Sequence, residues 1–130
     1  MEIQRGLNLG YGLSRVVFGM VATSMPRKLG RTWIGDDADT PGATVVLRAL
    51  GVRDIALGAG TVVGALGDDA DLWLATCVLA DLGDVAGTIS GRNELPENGV
   101  KTTVVLAGMG ALAGIALLAD ADLQRQRAQH

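Results

Sequence analysis

The chain has 130 residues, a formal charge of -3, 48% hydrophobic and only 3% aromatic residues, 19 glycines and a single cysteine, which suits one domain. No basic stripe with interleaved aromatics exists, so nucleic acid is excluded as a partner, and the lone Cys77 excludes an internal disulfide. A water-soluble helical core is disfavoured because each glycine inside such a helix costs about 1 kcal/mol relative to alanine.

Four apolar runs occupy roughly residues 7–25, 43–66, 72–90 and 100–119, each near the ~20 residues that cross a hydrocarbon core about 30 Å thick. They predict an all-α fold, a four-transmembrane-helix bundle forming one integral membrane domain over residues 1–130. The even number of spans puts both termini on one side.

In the first run Asn8, Gly12, Arg15, Gly19 and Thr23 share a helical face. Arg15 interrupts what would be the apolar part of a secretory signal, and no cleavage pattern of small residues follows, so this run is expected to remain in the mature protein. Pro26 ends it, and Arg27, Lys28 and Arg31 mark a membrane boundary. Trp33 suits a headgroup-level anchor, or a loop side chain packed on the bundle.

The second run carries the segment LGVRDIALGAGTVVGAL, residues 50–66. Wound at about 100° per residue, it separates into three faces. Gly51, Asp54, Gly58, Thr61 and Ala65 form one, Arg53, Ala56, Gly60, Gly64 and Gly67 a second, and the bulkier Val52, Ile55, Val62, Val63 and Leu66 lie on the third with Ala59. Two small-residue faces and one bulky apolar face are what a membrane helix needs when it is squeezed between two neighbours, since small residues let backbones approach closely in lipid. The bulky face is expected to meet lipid.

Residues 67–71, GDDAD, make a polar turn. Asp68, Asp69 and Asp71 lack the remaining oxygen ligands of a calcium loop, and Asp71 suits a helix N-cap instead. In the third run Cys77, Asp81, Asp84, Thr88 and Gly91 recur along one stripe, with Leu72, Leu79, Leu82 and Ile89 opposite. Residues 91–99 form the next polar connection. The fourth run presents Thr103, Ala107, Gly110 and Gly114 along one side, a packing wall of small residues. His130, the sole histidine, is terminal, so a histidine-based catalytic or metal site is not expected.

Arg27, Lys28, Arg31, Arg92 and Lys101 flank one side of the bundle, against Arg5, Arg125 and Arg127 on the other. The positive-inside rule then places the first and third connections in the cytoplasm.

Arg15, Arg53, Asp54, Asp81 and Asp84 all fall within the expected spans. Such residues cost about 2.5–3.5 kcal/mol each at a span's centre, so they are expected to meet one another. Asp81 and Asp84, one turn apart, fit a paired-carboxylate enzyme site. No nucleophile, histidine or metal motif accompanies them, which favours a charge network that fixes helix register, with Arg15 and Arg53 as counter-ions. Three carboxylates against two guanidiniums imply one proton shared among the three, a property of the coupled group.

The block from Trp33 to Leu66, followed by W-L-A-x-C-V-L-A-D-L-G-D-V-A, resembles an uncharacterised family of small bacterial four-span integral membrane proteins. In those a G-V-R-D-x-A-L-G segment precedes a helix with a D-x-x-D pair. The resemblance singles out Gly51, Arg53, Asp54, Gly58, Asp81 and Asp84 and implies the architecture, with no activity, substrate or cofactor attached. The expected role is that of an accessory or assembly subunit in the bacterial cell membrane, partnered by another membrane protein or a second copy of the chain. The alternative is a small transporter or permeation element for protons or a polar solute. The first expects a dry core and the second a wet cavity at the aspartates.

Overall fold

The computed structural model describes residues 2–67 and 69–129; Asp68 and His130, considered above as turn acid and terminal histidine, lie outside the described residues. The described chain is helical: α1 (Glu2–Ser24), α2 (Pro26–Ile34), a 3-10 turn (Gly35–Asp39), α3 (Pro41–Leu66), α4 (Asp71–Ser90) and α5 (Glu97–Ala128). Proline opens both α2 and α3, where its missing N–H costs no helical hydrogen bond. Thr40 caps α3, its hydroxyl accepting from the Ala43 amide at 3.2 Å. Gly35, at a φ of 68°, ends α2 in a backbone conformation that side chains with a Cβ rarely adopt.

The helices run past the apolar stretches, and the first connection is itself helical rather than an open polar loop. Arg31 forks onto Asp39 across it at 2.6–3.2 Å and holds that carboxyl below its ordinary range. Asp71 also departs from expectation. It stands in the first turn of α4 without capping it, and its carboxylate pairs with Arg125 of α5 instead.

Helices α3, α4 and α5 are long and apolar enough to cross a membrane. Although α1 has 23 residues, it is not among them, because Gln4, Asn8 and Arg15 dilute its apolar content. All three of those polar residues are buried in the bundle.

Cross-helix contacts give the arrangement. Gly12 and Gly19 of α1 oppose Gly58 and Gly51 of α3, an antiparallel register. Thr61 of α3 meets Cys77 of α4 at 3.6 Å, and Asp81 and Val78 of α4 pack on Gly110 and Gly114 of α5. Gln4 and Tyr11 of α1 donate to the Leu117 and Gly110 carbonyls of α5 at 2.9 and 3.1 Å. The ring order is therefore α1, α3, α4, α5, each antiparallel to its neighbours. Contacts are most extensive within two pairs, α1 with α3 and α4 with α5. One end of the bundle is closed by α2, where the Trp33 indole N–H donates to Thr88 at 3.2 Å. The other end holds the end of α3, the start of α4, the start of α1 and the end of α5.

The bundle is small and polar inside and bulky outside. Thr61, Thr88, Cys77 and Leu74 are the largest fully buried side chains among the described residues, whereas Val17, Met20, Val46, Val63, Leu79 and Leu112 are exposed. That inversion suits a surface solvated by lipid, where large apolar residues carry no penalty outside and small ones bring backbones together inside.

Candidate functional site

The five charged residues expected to seek one another do so at mid-bundle. Arg15 of α1 reaches diagonally across to α4, its Nη1 donating to both oxygens of Asp81 at 2.9 and 2.8 Å. Its Nη2 donates to Asp54 of α3 at 2.5 Å. Arg53 forks onto Asp84 at 2.9 and 2.7 Å and touches the other oxygen of Asp54 at 3.4 Å. The chain of contacts is Asp81, Arg15, Asp54, Arg53, Asp84. Planar guanidinium forks match carboxylate geometry in this way, which makes them stronger than single-point pairs.

Burial grades along that chain. Arg15, Asp54 and Asp81 are 9%, 4% and 5% exposed, while Arg53 and Asp84 are half-buried. Removing one member of a buried pair costs about 3–5 kcal/mol because the survivor is left uncompensated. The network also bridges the two helix pairs, for Arg15 and Asp54 belong to one and Asp81 to the other. The spacing of Asp81 and Asp84 does not produce a shared carboxylate site, since each is claimed by a different arginine.

A cavity of about 270 Å³ extends from this network toward the α2 end. Arg15, Arg53, Asp54, Asp81 and Asp84 all line it, together with apolar side chains from α1, α2, α3 and α5. Toward the opposite end the polar character continues through buried Asn8, Thr61 and Cys77 to Gln4, which contacts Gln124 at 3.3 Å. The Asn8 amide oxygen and the Arg15 and Arg53 Nε atoms are buried without a protein partner. Among the described residues no group of three or more His, Cys, Asp or Glu is placed to hold a metal ion.

The glycines divide by what they meet. Gly51 and Gly58 lie against the backbone of α1, Gly110 against the Asp81 carboxylate, and Gly114 against Val78 and the Tyr11 hydroxyl. Gly60 faces the Trp73 ring, and Gly64 the Asp69 carbonyl, Ala70 and that same ring. The second small-residue face of α3 is thus filled mainly by a side chain at the start of α4. A Cβ on Gly67 would meet only its own helix at ordinary contact distance.

Sequence reasoning did not single out Tyr11, Phe18 or the cavity role of Trp33. Tyr11 stands one turn before Arg15, which donates to its hydroxyl at 3.4 Å, so the i, i+4 spacing was a usable signal. Phe18 and Trp33 carried none, because their place depends on how α1 and α2 sit against α5. No protein-family model, curated protein or solved structure matches this chain.

Proposed function

We propose that this chain is a four-span protein of the bacterial cell membrane, α1 crossing with α3, α4 and α5, and that it works as a small permeation element for a proton or a solute. The observation that carries this is the cavity, which is lined by Asp81 and Asp84 and extends from them to α2. Ionisable groups inside a membrane are costly and mark ion or substrate pathways, and the buried polar residues beyond the network extend the track toward the other end. In proteoliposomes with a pH gradient and an internal pH dye, the chain is expected to speed proton flux over empty vesicles, and Asp81→Asn to reduce it. A carboxyl infrared band that moves with pH and shifts in Asp81→Asn is expected alongside. Flux equal to that of empty vesicles overturns the proposal.

A second reading keeps the chain as an accessory or assembly subunit beside another membrane protein or a second copy of itself. It is favoured by the pairing of all three aspartates with guanidiniums, which a register-fixing network requires. That reading expects a carboxyl band fixed between about pH 5 and 9, the range that spans buried carboxyl titrations, and stability that depends on the partner.

A further inference from the structure

We infer that the cavity binds a small lipophilic monocation, of the alkylpyridinium or quaternary ammonium class, entering from the bilayer between α1 and α5. The inference rests on the permeation reading and names the solute. Its first support is charge. The cavity's ionisable groups are Arg15 and Arg53 against Asp54, Asp81 and Asp84, a formal surplus of one negative charge within a low-dielectric bundle. Such a charge calls for a counter-charge, and an anionic ligand would add to the imbalance.

The second support is the wall. Phe18, Leu29, Leu47, Leu50 and Leu106 give the cavity apolar sides, which cannot replace the hydration shell of an inorganic cation but do solvate an organic one. Trp33 lines it too, its indole N–H tied to Thr88, and an aromatic face held near a cation attracts it through the ring quadrupole. At about 270 Å³ the space lies at the small end of ligand pockets.

The third support is the opening. Gln4 and Tyr11 join α1 to α5 near the terminal end, and from there toward α2 the cavity lies between these helices. Ser14, Phe18, Thr102 and Leu106 line the cavity and are also exposed outside, so they form a rim that faces lipid when the bundle spans a membrane. A proton answers the same surplus charge, so cation and proton compete. The titratable and charged groups lining the site are Arg15 from α1, Arg53 and Asp54 from α3, and Asp81 and Asp84 from α4, with the Tyr11 hydroxyl on Arg15 and the Cys77 thiol on Thr61 beside them. The lining residues of α2 and α5 are uncharged.

The test uses the full chain in nanodiscs with Trp73→Phe, which leaves Trp33 as the remaining tryptophan. N-butylpyridinium, an electron-accepting quencher, is expected to quench Trp33 saturably. Benzyltrimethylammonium should displace it, whereas neopentylbenzene, its uncharged carbon isostere, and benzenesulfonate should not. Asp84→Asn is expected to weaken binding on the order of tenfold, as loss of the net charge requires. If that variant does not fold, the competition series on the chain with Asp84 intact decides. Quenching that does not saturate, or displacement by the uncharged isostere as strong as by the cation, overturns the inference. Proton flux in proteoliposomes is read separately, so the cation assignment can fail while the permeation reading stands.

Discussion

Gly12 of α1 and Gly58 of α3 meet backbone to backbone. A Cβ on Gly12 would stand 2.8 Å from the Gly58 carbonyl oxygen, and one on Gly58 would stand 2.5 Å from the Gly12 oxygen and 2.8 Å from the Val16 amide nitrogen. The obstacle in each direction is main chain, which cannot swing aside. Overpacking of that kind costs about 1–3 kcal/mol, so Gly58→Ala is expected to lower the detergent melting temperature clearly. Gly83→Ala, where nothing lies within 4 Å, should be neutral or gain up to about 1 kcal/mol from helix propensity. Equal responses would show that α1 and α3 do not meet there.

The ion network predicts a steep difference between its buried centre and the surface. Asp81→Ala removes one of the two carboxylate partners of Arg15 and is expected to cost about 3–5 kcal/mol. Asp39→Ala removes an exposed partner of Arg31 and should leave the melting curve in place. The double variant Arg15→Met with Asp81→Leu should cost less than the sum of its two single variants, since these groups face each other, while Asp54 keeps only its contact with Arg53 at 3.4 Å. Additive losses in that cycle would refute direct coupling.

The contact between Gly60 and the Trp73 ring makes a compensation experiment possible. Gly60→Ala pushes a methyl group into the indole and should destabilise the protein. Combined with Trp73→Leu it should be partly rescued, with a coupling energy on the order of 1 kcal/mol. Val63→Leu, on the outward face of the same helix, should be silent. Absence of coupling would mean that Trp73 lies elsewhere.

Thiol labelling in vesicles tests the four-span reading. Asp69 and Asn93 are exposed in turns at opposite ends of α4, so Asp69→Cys and Asn93→Cys are expected to react with an impermeant maleimide from opposite sides. Native Cys77 is fully buried and should resist the reagent until the protein is unfolded. Labelling of both introduced cysteines from one side would remove α4 as a span.

The inward stripes were legible because helical periodicity alone puts Arg15, Asp54 and Asp81 on faces that lipid cannot accept. The same periodicity separated the Gly51 and Gly58 face from the Gly60 and Gly64 face, although it could not tell that one would meet a backbone and the other an indole. The start of α1 was hidden. Gln4 is a buried polar residue that hydropathy counts as outside, whereas Asn8 lies within the first apolar run on its inward stripe. Helix α2 was equally hidden, because a nine-residue segment with three basic side chains reads as a connection unless its docking on the bundle end is known. The cavity was not legible at all, since it arises where α1 and α5 part, a matter of helix placement rather than of any one residue.

On the four-span reading, the diagonal reach of Arg15 also fixes an order of events in biogenesis. Its carboxylate partners lie 39 and 66 residues further along the chain, so a ribosome delivers the guanidinium to the translocon well before either counter-ion exists. The segment carrying it is too polar to be released into lipid by apolarity alone. If α1 crosses the membrane as proposed, its stable integration waits for α3 and α4 to emerge, and a nascent chain arrested before Asp54 should leave α1 extractable by alkaline carbonate.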